Sequence, residues 1–400
     1  MTTAPTLPVH MQRNGFDPAP ELTGMRDGPG IERIRNAFGT EAWLVTRFAD
    51  VREVLSDPER FSNARLPARF GRPDGTPEVS PEEIARMRAG NLLAADPPEH
   101  TRLRRMLTPE FTVRRMRRLE PRIREIVDEH LDAMQRHGPP ADLVAEFALP
   151  VPSLVICELL GVPYADRADF QARTNRVLDL RIPAEERIRA SRESRTYMAE
   201  LVAGAQADPG EDMLGMLVRE HGDDLSTDEL IGIASLLLIA GHETTANMLG
   251  LGTLALLRHP DQLALVRDEP ERVDAAVEEL LRWLTIVHTG TAKVATVDTE
   301  IAGQPIAAGD VVMCALPAAN RDPELRRDPE RLDVTRGGVG HVAFGHGIHH
   351  CLGAPLARME MRIGFPALLR RFPGLAEVPG TAGFRSFHVI YGLTSLQVTW

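Results

Sequence analysis

A cysteine set between a glycine-jointed loop and a helix start constrains this chain more than any other feature. The run Phe344-Gly345-His346-Gly347-Ile348-His349-His350-Cys351-Leu352-Gly353 leads into Ala354-Pro355-Leu356-Ala357-Arg358-Met359-Glu360. The second segment is helix-forming, and Pro355 suits its first turn, where a backbone N–H lacks an intrahelical partner. Cys351 then faces free N–H groups and the positive end of the helix dipole, both of which favour thiolate over thiol. Gly345 and Gly347 permit backbone conformations closed to other residues and can turn amides toward the sulfur, while Gly353 leaves room for a flat ligand. The local physics predicts an anionic sulfur held beside something large. The rival use of these residue types is a zinc cluster of His346, His349, His350 and Cys351. Structural zinc usually draws on separated ligand pairs, and Cys157 and Cys314 have no Cys-x-x-Cys spacing.

A second feature lies upstream. Ser226-Thr227-Asp228-Glu229 is a capping box, and helical pattern runs from there to Leu257, a rod of roughly 48 Å. Its first half is apolar nearly all round, so it crosses the core. Ala240-Gly241-His242-Glu243-Thr244-Thr245 then puts a carboxylate and two hydroxyls into that rod. A buried carboxylate needs pairing or solvent, and Thr244 can bond back to the Ala240 carbonyl and bend the helix.

Helical patterns also cover 102–118, 121–136, 184–205, 262–284 and 355–371; short strand-like segments fall at 41–46, 292–301, 311–315 and 396–400. The proline-rich stretch 67–81 reads as loop. No repeat or composition break divides the chain, which predicts one mainly α domain over 1–400 with small peripheral β-sheets. Three cysteines in 400 residues argue against a disulfide framework and suit a reducing cytoplasm. The N-terminus shows neither signal peptide nor membrane anchor, and 230–240 is too short to span a bilayer. The net charge of −11 argues against general nucleic-acid binding. Lys293 is the only lysine, and arginines crowd 102–118, as a solvated helix face or a partner surface.

Residues 344–353 match the Phe-Gly-x-Gly-x-His-x-Cys-Leu-Gly haem loop, and the chain therefore resembles the cytochrome P450 superfamily of haem-thiolate monooxygenases. The resemblance implies a helix-rich triangular fold and haem b (iron protoporphyrin IX). Cys351 is then the fifth ligand of the iron, pushing electron density onto it and favouring O–O cleavage. Phe344, Gly345, His349 and Gly353 belong to the same cofactor-binding loop, His349 as a propionate donor. The sextet 240–245 is similar to the family's oxygen groove. On that match Ala240 and Gly241 border the oxygen, with Gly241 opening the space. Thr244 holds the bound oxygen and its water, and Glu243 feeds in protons from solvent; Thr245 packs or assists. His100 and Arg104, four apart on one helix face, match propionate contacts. So does Lys293, a departure from the usual arginine and its planar fork. Glu279 and Arg282 match the family's Glu-x-x-Arg pair, joined by Arg331 or Arg336, and hold the fold rather than perform chemistry.

The implied reaction is insertion of one oxygen atom from O2 into a C–H bond or alkene of an apolar or amphipathic molecule, such as a macrolide, polyketide, terpenoid or sterol-like compound. Electrons come from a separate ferredoxin and its NAD(P)H-dependent reductase, and the protein is expected to be monomeric and cytoplasmic, with no membrane or nucleic-acid partner. Substrate walls are expected at 66–93, 173–182, 233–240, 286–291 and 390–393; Leu236, Leu237 and Ala240 serve equally as plain core. The alternatives are nitric oxide reduction or peroxide-driven oxidation, a catalytically silent partner-activating scaffold, and a haem gas sensor. Intact Glu243-Thr244, the pair of Cys351 with that relay, and the lack of an output domain weigh against them respectively.

Overall fold

Capping and apolar burial explain where the longest helix forms. Ser226 Oγ accepts the Glu229 N–H at 3.2 Å, and Glu229 Oε2 accepts the Ser226 N–H at 2.7 Å, so both halves of the capping box are made. The helix Thr227–Leu257 runs unbroken for 31 residues. Leu230, Leu249, Leu251, Leu254 and Ala255 lose all access to solvent. It packs against the helices Pro150–Leu160 and Ala184–Ala207, with Ala354–Arg371 on another flank. The computed structural model describes residues 7–36, 39–66, 80–337 and 340–400; residues 67–79 of the expected loop, and with them part of the wall at 66–93, lie outside these, while Ser80 caps the helix Pro81–Arg88 at the loop's expected end.

A five-stranded sheet stands beside the helical mass, in the order Ile31–Arg35, Glu41–Val45, Val311–Cys314, Thr291–Ala295, Phe61–Ser62. Val311–Cys314 runs parallel to Glu41–Val45 and antiparallel to Thr291–Ala295. The remaining sheets have two or three strands, which gives the mainly α class expected. Among the described residues no helix is long and apolar enough to cross a membrane.

Three expected elements are cut differently. The segment 102–118 is two helices, Glu99–Leu107 and Val113–His137, because Thr112 caps the second by accepting the Arg115 N–H. That second helix passes straight through Pro121. Its buried stripe of Met116, Ile123, Val127, Leu131 and Met134 continues on both sides, and this burial overrides the missing N–H. The segment 262–284 divides into Pro260–Asp268 and Val273–Leu284, since Glu269 precedes Pro270 and is held out of helical conformation. The strand 292–301 stops at Ala295 and resumes at Thr299.

Candidate active site

Gly345 (φ 73°) and Gly347 (φ 69°) both adopt left-handed conformations, and a Cβ on Gly347 would collide with the Leu55 carbonyl. The loop is therefore seated on the end of the helix Phe48–Ser56. The amides that reach the Cys351 sulfur belong to Gly353 and Ala354 at the helix start, not to the turn glycines. Cys351 has accessible surface, yet protein crowds its sulfur enough that desolvation pushes the thiol above its ordinary range. The two amides, Arg104 and Arg358 only partly offset this. The Gly353 and Ala354 amides thus act in the expected direction, toward the thiolate, while burial opposes them. A Cβ on Gly353 would meet nothing within 4 Å, so open space adjoins the sulfur-bearing turn. Among the described residues His346, His349, His350 and Cys351 do not gather as a metal-ligand cluster.

Nitrogen donors lacking acceptors converge beside this loop. His100 is 2% exposed with no partner for Nε2, and neither ring nitrogen of His349 has one. The two rings lie 4.3 Å apart. Lys293, also buried, gives Asn63 Oδ1 a hydrogen bond of 2.7 Å, which uses one of its three protons. Desolvation, then the charges of Lys293 and His100, push His349 down to about 3. Desolvation likewise lowers His100, Lys293 and half-buried Arg104. Asp96 is the acid that offsets these charges, and its oxygens are engaged by Ser62 and the Asn63 N–H. Buried donors without acceptors call for acceptor oxygens, and the charges of Lys293 and Arg104 favour anionic ones. The two carboxylates of an iron protoporphyrin meet that requirement, and with the accessible sulfur and open space at Gly353 the residues fit a haem.

On the long helix, Ala240 is exposed although its surroundings are core, and Thr244 one turn later is half-buried. Thr244 Oγ1 donates to the Ala240 carbonyl at 2.8 Å, the expected back-bond. Gly241 departs from expectation. A Cβ there would stand 2.6 Å from Ile156 Cδ1, so its smallness serves close packing against Pro150–Leu160, and Ala240 is the residue bordering open space. Thr245 is buried.

Glu243 is buried, 2% exposed, and is paired as a carboxylate inside the rod must be. Arg385 Nη1 donates to its Oε2 at 2.9 Å, and Asn247 Nδ2 to the same oxygen at 3.3 Å. Its Oε1 stands 3.8 Å from His242 Nε2. Desolvation pushes Glu243 upward, but Arg385, His242 and His388 more than offset it, and the carboxyl sits below its ordinary value. Arg385 in turn lies 3.1 Å from His388 Nε2. Val287 bridges by backbone to Ile390, joining two expected wall segments, and Asp179 of a third bridges to His388, just outside the last of them.

Glu279 and Arg282 form a bidentate pair at 2.7 and 2.8 Å. Neither Arg331 nor Arg336 brings a guanidinium to it. Arg331 offers only its carbonyl, at 3.4 Å, and the Arg336 guanidinium turns to Asp333 and the carbonyls of Arg327 and Asp328. Backbone groups complete the network: the carbonyls of Asn320 and Pro329 accept from Arg282, and the Asp333 N–H donates to Glu279.

Residues 204–377 match the family model described as Cytochrome P450. Cytochrome P450 FAS1 of Rhodococcoides fascians is 52% identical, covering 98% of each chain. Pentalenic acid synthase of Streptomyces avermitilis is 45% identical over 96% of this chain and 95% of its own. Among solved structures, CYP105P1 in complex with filipin I superposes with a TM-score of 0.91 at 42% identity, covering 100% of this chain and 99% of that one. P450 StaH, from biosynthesis of the glycopeptide antibiotic A47934, gives 0.86 at 46% identity, covering 99% and 100%. The chain belongs to the cytochrome P450 family and is a haem b monooxygenase.

Proposed function

We propose that this cytochrome P450 inserts one oxygen atom from O2 into a C–H bond or alkene of an apolar or amphipathic specialised metabolite. Cys351 is the sulfur ligand; Phe344, Gly345 and Gly353 shape the loop around it. His100, Arg104, His349 and Lys293 hold the propionates. The haem iron, when bound, supplies the binding and activation of dioxygen. Ala240 leaves the space beside it. Thr244, its own proton committed to Ala240, accepts from water and so orders it. Glu243, anchored through Oε2, keeps Oε1 to take a proton arriving from bulk solvent and release it toward the water held at Thr244. Because Arg385 keeps it ionised, Glu243 is a proton-passing group and not a standing acid. Gly241 acts by letting two helices approach.

Two of the relatives are named for specialised metabolites, pentalenic acid and a glycopeptide antibiotic, and the same broad class is proposed here. Electrons come from a separate ferredoxin and its NAD(P)H-dependent reductase. Arg105, Arg114, Arg117 and Arg118 are exposed, form no ion pair among the described residues, and share their surface with Val113, 60% exposed. That surface complements an acidic partner, whereas Arg115 is tied to Glu110 at 2.9 Å. The enzyme works as one cytoplasmic domain.

The observation that carries this reading is the accessible Cys351 beside buried donors that lack acceptors. The test is Cys351→Ser in haem-loaded protein. The wild type is expected to give the thiolate-type reduced carbon-monoxide spectrum and the folded variant to lose it. A variant with the wild-type spectrum overturns the assignment.

A further inference from the structure

Arg385 and His388 lie three residues apart, just after the short strand Gly383–Phe384. Arg385 divides its Nη1 protons between two partners: Glu243 Oε2 at 2.9 Å and His388 Nε2 at 3.1 Å. Its Nε reaches the Leu393 carbonyl only at 3.3 Å. A guanidinium has no acceptor, so His388 Nε2 presents its lone pair to Arg385. The neutral ring then carries its proton on Nδ1, which donates to the Ile390 carbonyl at 3.0 Å. The Ile390 N–H, 3.2 Å from the same nitrogen, gives it no bond in this tautomer.

The ring itself is firmly placed. His388 is buried, and Phe387 before it takes φ 53°, a conformation costly for a residue with a Cβ. That turn is held by the Leu180 N–H, which donates to the Phe387 carbonyl at 2.7 Å, and by the Val389 N–H, which donates to the Leu178 carbonyl at 3.1 Å. His288 Nε2 donates to the His388 carbonyl at 2.8 Å. Arg385, Glu243, Asp179 and His288 are the charged or titratable groups around the ring. Desolvation and then Arg385 push His388 down to about 4, against the pull of Glu243 and Asp179, and His288 is pushed down to about 3. Both rings are therefore uncharged at neutral pH.

Arg385 needs such a stake. It retains 12% side-chain exposure, so water competes for it, and a single contact to Glu243 leaves a long side chain free to turn away. A second carboxylate would divide its charge with Glu243, and a charged histidine would repel it. A neutral lone pair holds it without either effect. We propose that His388 is a positioning residue of the proton relay, keeping the Arg385 guanidinium on Glu243 Oε2 so that Oε1 remains the oxygen that passes protons. The inference rests on the reading of Glu243 as a proton-passing group and adds the residue that fixes its cation.

The test follows the infrared band of the protonated Glu243 carboxyl against pH in the haem-loaded enzyme, the band being assigned by its loss in Glu243→Gln. The wild type is expected to show it only on acidification. Loosening Arg385 leaves desolvation in charge of Glu243, so His388→Phe is expected to move the midpoint up by about one pH unit, a tenfold gain in proton affinity. His388→Gln, whose amide oxygen can accept from Nη1, is expected to restore most of the wild-type midpoint. In an Arg385→Leu background His388→Phe is expected to add no further shift, because the histidine acts through the arginine. An unmoved midpoint in folded His388→Phe, an equal shift in His388→Gln, or a shift that persists without Arg385 overturns the proposal. Nitrogen-15 NMR of the wild type at neutral pH keeps the test open if His388→Phe does not fold. The signal missing from His388→Gln is expected to show Nδ1–H and a bare Nε2, and a protonated Nε2 overturns the assignment. Loss of the thiolate-type reduced carbon-monoxide spectrum in the wild type removes the monooxygenase reading, while the midpoints still decide the role of His388.

Discussion

Two buried carboxylate–arginine pairs in this molecule are built to opposite specifications. Glu279 and Arg282 sit three residues apart on one helix, 1% and 2% exposed, joined by both oxygens. Backbone groups from 320–333 occupy the donors and acceptors left over. Glu243 and Arg385 are 142 residues apart and share one contact. There the arginine retains 12% side-chain exposure, and among the described residues Glu243 Oε1 has no hydrogen bond, only His242 at 3.8 Å. A saturated pair can only hold. A pair with one oxygen left over can hold with one hand and exchange a proton with the other. Saturation, more than burial, separates the pair that holds the fold from the pair proposed to pass protons.

The sharpest break of this comparison is Arg282→Ala. It strands Glu279 and the carbonyls of Asn320 and Pro329 together, and a loss of roughly 3–5 kcal/mol is expected, read by urea unfolding and by the yield of haem-loaded protein. Near-wild-type stability would show that saturation carries no such weight. Arg385→Leu should cost less, about 1–3 kcal/mol, because Glu243 can recover by taking up a proton. The sign follows from the shifts. In the wild type the carboxyl is held below its ordinary value, so the pair's contribution is present above that ordinary value and is lost as pH falls through the lower folded one. Without Arg385 the leading influence is desolvation, which raises Glu243. The variant's deficit is therefore largest at neutral pH and shrinks on acidification. Its turnover should release more hydrogen peroxide per reducing equivalent than the wild type. A deficit independent of pH, with coupling intact, would place Arg385 in the same class as Arg282.

This contrast also marks what the sequence discloses. The loop 344–353, the sextet 240–245 and Glu279-x-x-Arg282 are legible because their chemistry is written in local spacing, and each lies where that spacing puts it. Arg385 is not local to Glu243. A buried carboxylate demands a cation, but with 46 lysines and arginines in the chain the demand does not name its answer. Arg331 and Arg336 illustrate the same gap from the other side: the need for donors and acceptors around Glu279 and Arg282 was visible, yet backbone atoms fill it, and backbone carries no sequence signature. Gly241 shows a third kind of loss. Its smallness is evident in the sequence, but only the position of Ile156 tells which neighbour needs it. Helix ends failed for a simpler reason. Pro121 reads as a start, yet a continuous buried stripe outweighs it, whereas Pro270 does end a helix because little apolar pattern crosses it.

The smallest expected effect concerns the same helix that carries Glu243, at its far end. Ser226→Ala removes the acceptor for the Glu229 N–H, and such caps are worth about 1 kcal/mol. Here the loss should fall in the lower part of the usual range. The reciprocal bond from the Ser226 N–H to Glu229 Oε2 uses backbone and survives the substitution, and Arg102 also holds the Glu229 carboxylate from the neighbouring helix. Thr244 lies 18 residues away, about 27 Å along the axis, and the intervening turns are locked by burial. Unfolding should therefore show a deficit of roughly 0.5–1 kcal/mol with unchanged coupling of electrons to product. Peroxide release from Ser226→Ala approaching that of Arg385→Leu would mean that the helix transmits disturbance along its length, and that the division between holding and working carboxylates cannot be drawn at the level of single pairs.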